Sequence, residues 1–420
     1  MAALLLAPAL AVRAQEKPAA DPPEVQMHRP GTLPDRITLT WVSDPATSLA
    51  VTWRTEPGGK GPVAQIVPAH PGISFEAKAK SVEASTQKLD TKRWQAAYHT
   101  AQFQGLEPDT AYLYRVGDGD HWSEWFQVRT AKDKPAPFSF LYFGDVQHGM
   151  RSLWSRVLRE SFRTAPDARF MVFAGDLVTD GNDDLLWGDL FYGGGWLFAM
   201  TPVLPTPGNH EYRKDDDGET RLTKHWGAQF KLRPNGPEGV DHGAYYIDYQ
   251  GVRMVSLNSY KQVEEQAAWL DDILSRNPNK WTVAFFHYPL YSLSKGREDH
   301  QSLIKGWKPV FDRRGVDLVL TGHDHTYARS GLQERTVYVT SVSGSKMYEL
   351  DRKPWMKRAA ENTQLYQVVS VDGDRLSFET RTATGSLYDA FELRKGPGGT
   401  VSFKDRAPKG VPERIRPAAD

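Results

Sequence analysis

Apolar positions along this chain fall into two textures. In the first, Leu49, Val51 and Trp53 alternate with Ala50 and Thr52, and Tyr112, Tyr114 and Val116 repeat the period further on. A period of two is that of a half-buried strand. Turn formers at Glu56-Pro57-Gly58-Gly59 and at Gly105–Thr110 break up the runs. Short strands at this spacing predict an all-β sandwich over 35–131. A polar stretch with two prolines, 131–137, then separates this region from a second texture.

In the second texture, continuous apolar runs alternate with helical stripes. Phe138–Phe143, Phe170–Ala174, Val203-Leu204, Trp281–Phe286 and Val316–Leu320 read as buried strands. Leu153, Trp154, Val157, Leu158 and Phe162 mark one helix, Asp183–Phe198 a second, Glu264–Arg276 a third and Gln301–Arg314 a fourth. Tyr245–Ser256 reads as two strands joined at Tyr249-Gln250-Gly251, and 336–342, 366–371 and 375–380 as further strands. The pattern predicts an α/β (α+β) domain over 138–394, two sheets flanked by helices. Residues 15–34, rich in Pro, Ala and charge, and 395–420, rich in Gly, Pro and charge, are expected to be a flexible lead-in and a flexible tail.

Composition narrows the chemistry. Across 420 residues the apolar content is 40% and the charged content 25%, ordinary for a soluble protein. Formal charge balances at zero, so there is no bulk attraction to nucleic acid or to a membrane surface. Cysteine is absent, which removes disulfides, thiolate nucleophiles and Cys-based metal sites. The opening Ala2–Val12 run is shorter than the roughly 20 residues that span a bilayer. Small residues follow it, as in a secretory signal over 1–14, so a secreted or periplasmic protein without a transmembrane segment is expected.

Nearly every apolar run of the second texture ends in groups that bind cations: Asp145, Asp176, Asn209 with His210, His287, and His323 with His325. Each alone reads as a turn or a strand cap. Together, at the strand ends where α/β sheets place ligands, they make a series of oxygen and nitrogen donors suited to Zn, Mn or Fe. His323 and His325 stand at i and i+2 after a strand, and an extended backbone would aim both at one face.

The blocks read FGD at Phe143–Asp145, AGD at Ala174–Asp176, PGNHE at Pro207–Glu211, FFHYPLY at Phe285–Tyr291 and TGHDHTYAR at Thr321–Arg329. Their order resembles the metallophosphoesterase (calcineurin-like phosphoesterase) superfamily. HYPLY and GHDHTYAR look most like its purple acid phosphatases, which also carry an N-terminal fibronectin type III-like domain. The GLEPDTAYLYRVG run resembles the end of such a domain.

That resemblance implies hydrolysis of small phosphomonoesters or phosphodiesters by water activated between two metal ions (Fe, Zn or Mn). Asp176 would bridge them, Asp145 and His325 would hold the first, and Asn209, His287 and His323 the second. His210 would serve catalysis by contacting the phosphoryl oxygen or the leaving group. A phosphodiesterase or nucleotidase of the same superfamily is the alternative, and a catalytically silent binding protein a remoter one. Arg297 and His300, on the loop after the His287 strand, are candidates for binding substrate phosphate. Asp299 competes for that segment as a helix cap.

Two positions depart from the purple pattern. Thr179 stands where those enzymes have the Tyr that ligates Fe(III) and gives the colour, and Gln147 stands where they have Gly. Gln147 is expected to fill the coordination gap as a ligand. His148 would point away if the strand continued.

Overall fold

The computed structural model describes residues 22–214, 217–240 and 242–416; the expected secretory signal lies outside them. The alternating region forms two four-stranded antiparallel sheets, one holding Asp35–Thr40, Ser48–Thr55, Gln95–Gln104 and Ser85–Asp90. Between them Leu49, Val51, Trp53, Tyr114 and Val116 are buried. No helix among the described residues is long and apolar enough to cross a membrane.

The second region is two seven-stranded sheets. In one, Phe138–Phe143, Met171–Phe173 and Val203–Pro205 run parallel, and antiparallel strands from Leu365 onward extend it. In the other, Val252–Ser256, Trp281–Phe285, Leu318–Thr321 and Val337–Thr340 run parallel. Parallel strands bury both faces, which is why these runs are continuously apolar. Phe143, Phe173, Phe285 and Leu320 belong to one shared core cluster. Helix Val263–Ser275 and its neighbours cover the outer face of the second sheet with Leu270, Ile273 and Trp307.

Two long helical expectations are broken by local chemistry. Asp183–Phe198 divides into Asp184–Gly194 and Trp196–Met200 at Gly195, whose φ is +49°. Gln301–Arg314 divides at Trp307, with Pro309 in the first turn of the second piece.

Neither flank is loose where described. Pro23–Met27 is a short helix, and the His28 carbonyl accepts from Arg54 Nη2 at 2.8 Å. Val401–Asp405 pairs antiparallel with Leu387–Lys395, and Phe403 stacks on Phe391 at 5.6 Å. Val401 and Phe403 keep a period of two that the surrounding Gly and Pro obscure in the sequence.

The two domains are joined by a buried charge cluster. The Asp184 carboxylate, at the start of its helix, accepts from Arg36 through both oxygens at 2.8 Å. Arg54 Nη1 and Trp94 Nε1 each donate to it at 3.0 Å, and His225 Nε2 lies 3.1 Å away. Burial alone would raise the Asp184 pKa, but the Arg36 and Arg54 guanidiniums and the His225 contact hold it well below the usual carboxylate range. Such a group stabilises the fold above its unfolded pKa of about 3.9, and that stability drains away as pH falls below it. Asp184→Asn is therefore expected to cost about 3–5 kcal/mol at pH 7, because it leaves the buried Arg36 guanidinium without a carboxylate, whereas Arg54 keeps Asp35 at 2.6 Å. It should also flatten the loss of stability below about pH 4. Urea midpoints measured from pH 7 down to pH 3 check both; parallel curves for the two proteins would refute the assignment.

Candidate metal centre

The strand ends of both sheets converge on one edge. Asp145 and Gln147 follow Phe138–Phe143, Asp176 follows Met171–Phe173, and Asn209 and His210 follow Val203–Pro205. His287, His323 and His325 arrive from the second sheet after Trp281–Phe285 and Leu318–Thr321. Glycines permit the approach. A Cβ at Gly322 would lie 2.4 Å from Asp145 Oδ2, and one at Gly208 2.2 Å from Asp176 Oδ1.

Two clusters result, and Asp176 belongs to both. Asp145, Asp176 and His325 offer donor atoms within 4.8 Å of one another, and so do Asp176, His287 and His323. Asn209 Oδ1 joins the second, 3.1 Å from His287 Nε2. His287 Nδ1 donates to the Ala174 carbonyl and His325 Nδ1 to the Lys346 carbonyl, both at 2.8 Å. Each ring thereby turns Nε2 inward, as metal-ligating histidines do.

The HxH geometry differs from the expected one. The strand stops at Thr321, and His323 and His325 both have positive φ, +73° and +49°. A left-handed turn, not an extended backbone, sends His323 to one cluster and His325 to the other. Buried Asp324 locks that turn, accepting from Leu293 N at 2.6 Å and Ser292 Oγ at 3.1 Å. His148 likewise lies beyond the strand, at φ +62°, where alternation no longer governs direction.

Gln147 reaches the first cluster. Its Nε2 donates to Asp176 Oδ2 at 2.8 Å and lies 3.3 Å from His325 Nε2, while buried Oε1 has no partner. Asp145 Oδ1 is also buried without a hydrogen bond. Burial pushes the Asp145 carboxyl well up. At Asp176 burial acts the same way, but His287 outweighs it and the pKa falls below the carboxylate range. His287 is lowered by burial yet lifted by Asp176 and Asp145 to about 9. Burial depresses His325 to about 3. The orphaned Asp145 and Gln147 oxygens, the neutral His325 imidazole and the two neighbouring carboxyl groups are donors that a cation would engage, so the residues fit a pair of metal ions.

The rim carries the remaining candidates. His210 Nδ1 lies 2.5 Å from the Thr179 carbonyl and 2.7 Å from Arg213 Nη2, and its Nε2 is 3.8 Å from Asp176 Oδ2. His300 stacks on Tyr288 at 4.8 Å and stands 5.8 Å from the His323 ring. Arg297 pairs with Asp324 at 3.3 Å over the Tyr348 ring, which ties it to the turn and leaves it partly exposed. Asp299 does not cap the helix; His300 occupies the cap position, and Asp299 accepts from Ser292 N.

Two family models match, Purple acid Phosphatase, N-terminal domain, over residues 34–130 and Calcineurin-like phosphoesterase over residues 138–327. The chain thus joins a purple acid phosphatase-type N-terminal domain to a calcineurin-like phosphoesterase domain. It is 26% identical over 323 residues to "Probable purple acid phosphatase 20" of Arabidopsis thaliana, covering 72% of this chain and 68% of that one. It is 26% identical to "Acid phosphatase type 7" of Homo sapiens, covering 74% and 71%. In fold it matches a purple acid phosphatase from yellow lupin (Lupinus luteus) seeds with a TM-score of 0.75 at 17% identity, covering 87% of this chain and 75% of that one. The protein is thus a metallophosphoesterase, a phosphoester hydrolase.

Glu211 was not singled out from the sequence, although it closes the PGNHE block. Fully buried, its carboxylate accepts from Gly208 N at 2.7 Å, Leu177 N at 2.8 Å, Asp176 N at 3.0 Å and Val178 N at 3.3 Å. It clamps the loop bearing Asp176 to the loop bearing Asn209. Glu211→Gln would turn an amide nitrogen toward N–H donors and should cost about 2–4 kcal/mol, with metal content falling in the purified protein. Thermal unfolding beside elemental analysis checks this; full metal occupancy at unchanged stability would overturn the clamp.

Proposed function

We propose that the protein hydrolyses small organic phosphate esters at a dinuclear metal centre. The observation that carries this reading is the double cluster sharing Asp176, with carboxylate and imidazole donors turned inward from parallel strand ends. Asp145, Asp176 and His325 would hold one ion, with Gln147 joining once its amide is rotated to present Oε1; the two orientations are nearly alike in shape. Asp176, Asn209, His287 and His323 would hold the other. When bound, such a pair polarises phosphoryl oxygens and makes water acidic enough to attack at neutral pH.

The chain's own groups then orient the ester. His210, held from behind by Thr179 and Arg213, turns Nε2 toward the shared carboxylate and contacts the phosphoryl or leaving-group oxygen. His300 beside Tyr288, and Arg297 beside it in sequence, supply positive or hydrogen-bonding character at the far rim. As the water oxygen bonds to phosphorus, the ester P–O bond breaks and the leaving oxygen takes up a proton. No Ser or Cys nucleophile is needed.

With Fe, Zn or Mn supplied, the protein should cleave p-nitrophenyl phosphate, its bis ester, or both; inactivity on both under every metal would favour a silent binding protein. Asn209→Ala should lower kcat/KM by about 100-fold or more and reduce metal content to about one ion per chain. Unchanged turnover would sink the two-metal reading.

Colour offers a separate check, because Thr179 supplies no phenolate. The active, iron-loaded protein is expected to lack a strong visible charge-transfer band, and a purple preparation would refute this.

A further inference from the structure

A cleft of about 580 Å³ opens from the candidate metal centre toward the N-terminal domain, with Asn209 and Tyr288 in its lining. Tyr212 and Tyr260, stacked at 4.3 Å, form an aromatic wall, and Tyr260 is partly exposed. Three cations also line the cleft: Arg213, Lys214 and Lys92. Lys92 belongs to the β-sandwich, not to the metallophosphoesterase region. Among the lining residues the one carboxylate is Asp180, and it already accepts from Arg213 Nε at 3.1 Å and Asn182 N at 3.0 Å. Lys92 and Lys214 are exposed, and no carboxylate among the described residues pairs with either.

Lys92 is held there by construction. It sits in a turn closed by Thr91 N donating to the Trp94 carbonyl at 3.0 Å, with Trp94 N donating back to Thr91 Oγ1 at 3.0 Å. Trp94 Nε1 then reaches across the domain boundary to Asp184 Oδ2 at 3.0 Å. The buried charge cluster that joins the domains therefore also fixes a sandwich lysine over the catalytic cleft. A neighbouring cleft shares Lys92, Asn182 and Lys214, so the same lysines remain on the wall where the groove continues.

We propose that this cleft selects organic phosphates bearing a second anionic group, which Lys92 and Lys214 bind while the reacting phosphoryl lies against Asn209 and Tyr288. The carbon skeleton lies along the tyrosine wall. Lys92 is thus a specificity-determining residue contributed by the N-terminal domain. The inference rests on the hydrolytic reading above.

Fructose 1,6-bisphosphate and fructose 6-phosphate differ by one phosphate and serve as matched probes of the metal-loaded full chain. Lys92→Gln should raise KM for the bisphosphate by about threefold to fivefold, the scale of one exposed charge contact, and leave KM for the monophosphate and for p-nitrophenyl phosphate in place. Lys92→Arg should restore the wild-type ratio. Lys92→Gln combined with Lys214→Gln should deepen the loss to about tenfold, and Trp94→Phe, which frees the turn, should shift the same ratio. Equal effects on both sugars, or none on either, overturn the subsite. If no ester is hydrolysed, the hydrolytic reading falls by itself. Calorimetric binding of the two sugars then still decides the subsite, through whether Lys92→Gln lowers their affinity ratio.

Discussion

Asp176 is the group on which the rest of the site depends. It is buried at φ +50°, past the end of a short strand, and one carboxylate meets both sheets. One oxygen accepts from His210 N at 2.9 Å; the other faces Gln147 Nε2 at 2.8 Å and His287 Nε2 at 3.3 Å. A second buried acid, Asp145, lies close enough to raise its own cost of ionisation. Two carboxylates in a dry pocket need positive charge between them. His287, lowered by burial but lifted by Asp176 and Asp145 to about 9, meets part of that need. Much of the surrounding architecture exists to maintain that unfavourable arrangement: the Glu211 clamp, the close-packed glycines and the carbonyls behind His287 and His325.

What the sequence made legible follows from which forces are local. Buried parallel strands must be continuously apolar, so Phe138–Phe143 and Trp281–Phe285 announced themselves, and with them the polar residues at their ends. Six of the seven ligand candidates were therefore readable as a series, Gln147 only through the family resemblance, and the structure brings all seven close together. The i,i+2 argument expected an extended backbone at His323 and His325, and the backbone there is left-handed instead. Two left-handed residues held by Asp324 do what an extended strand was expected to do, and nothing in an HDH tripeptide reveals that its central acid is the lock.

The parts that were not legible depend on long sequence separations. Arg36 and Asp184 are 148 residues apart and have no periodicity that would pair them. A buried Arg–Asp contact cannot be distinguished in sequence from two surface charges. The tail strand was hidden for a different reason. Its Gly and Pro content reads as disorder, whereas a single alternating pair, Val401 and Phe403, suffices when an edge is already waiting for it.

The N-terminal sandwich is accordingly more than a neighbour of the catalytic domain. Trp41 packs edge-on against Phe170 at 5.8 Å and beside Tyr249 at 5.5 Å, so the apolar core passes from one domain into the other. Tyr114 donates to the Ala199 carbonyl at 2.5 Å, tying the sandwich to the short helix after Gly195. Lys132 N, in the connecting segment, donates to Gln250 Oε1 at 2.8 Å, which shortens the free length between the domains. With apolar contact, ion pairs and connector all pinned, a turn of the sandwich keeps a fixed position relative to the metal-binding strand ends. An exposed lysine ordinarily contributes little because its position is loosely held. A lysine whose backbone is held by Trp94 and Asp184 spends less entropy in meeting a ligand. That is the physical basis on which a β-sandwich can tune the substrate range of a phosphoesterase without contributing a metal ligand.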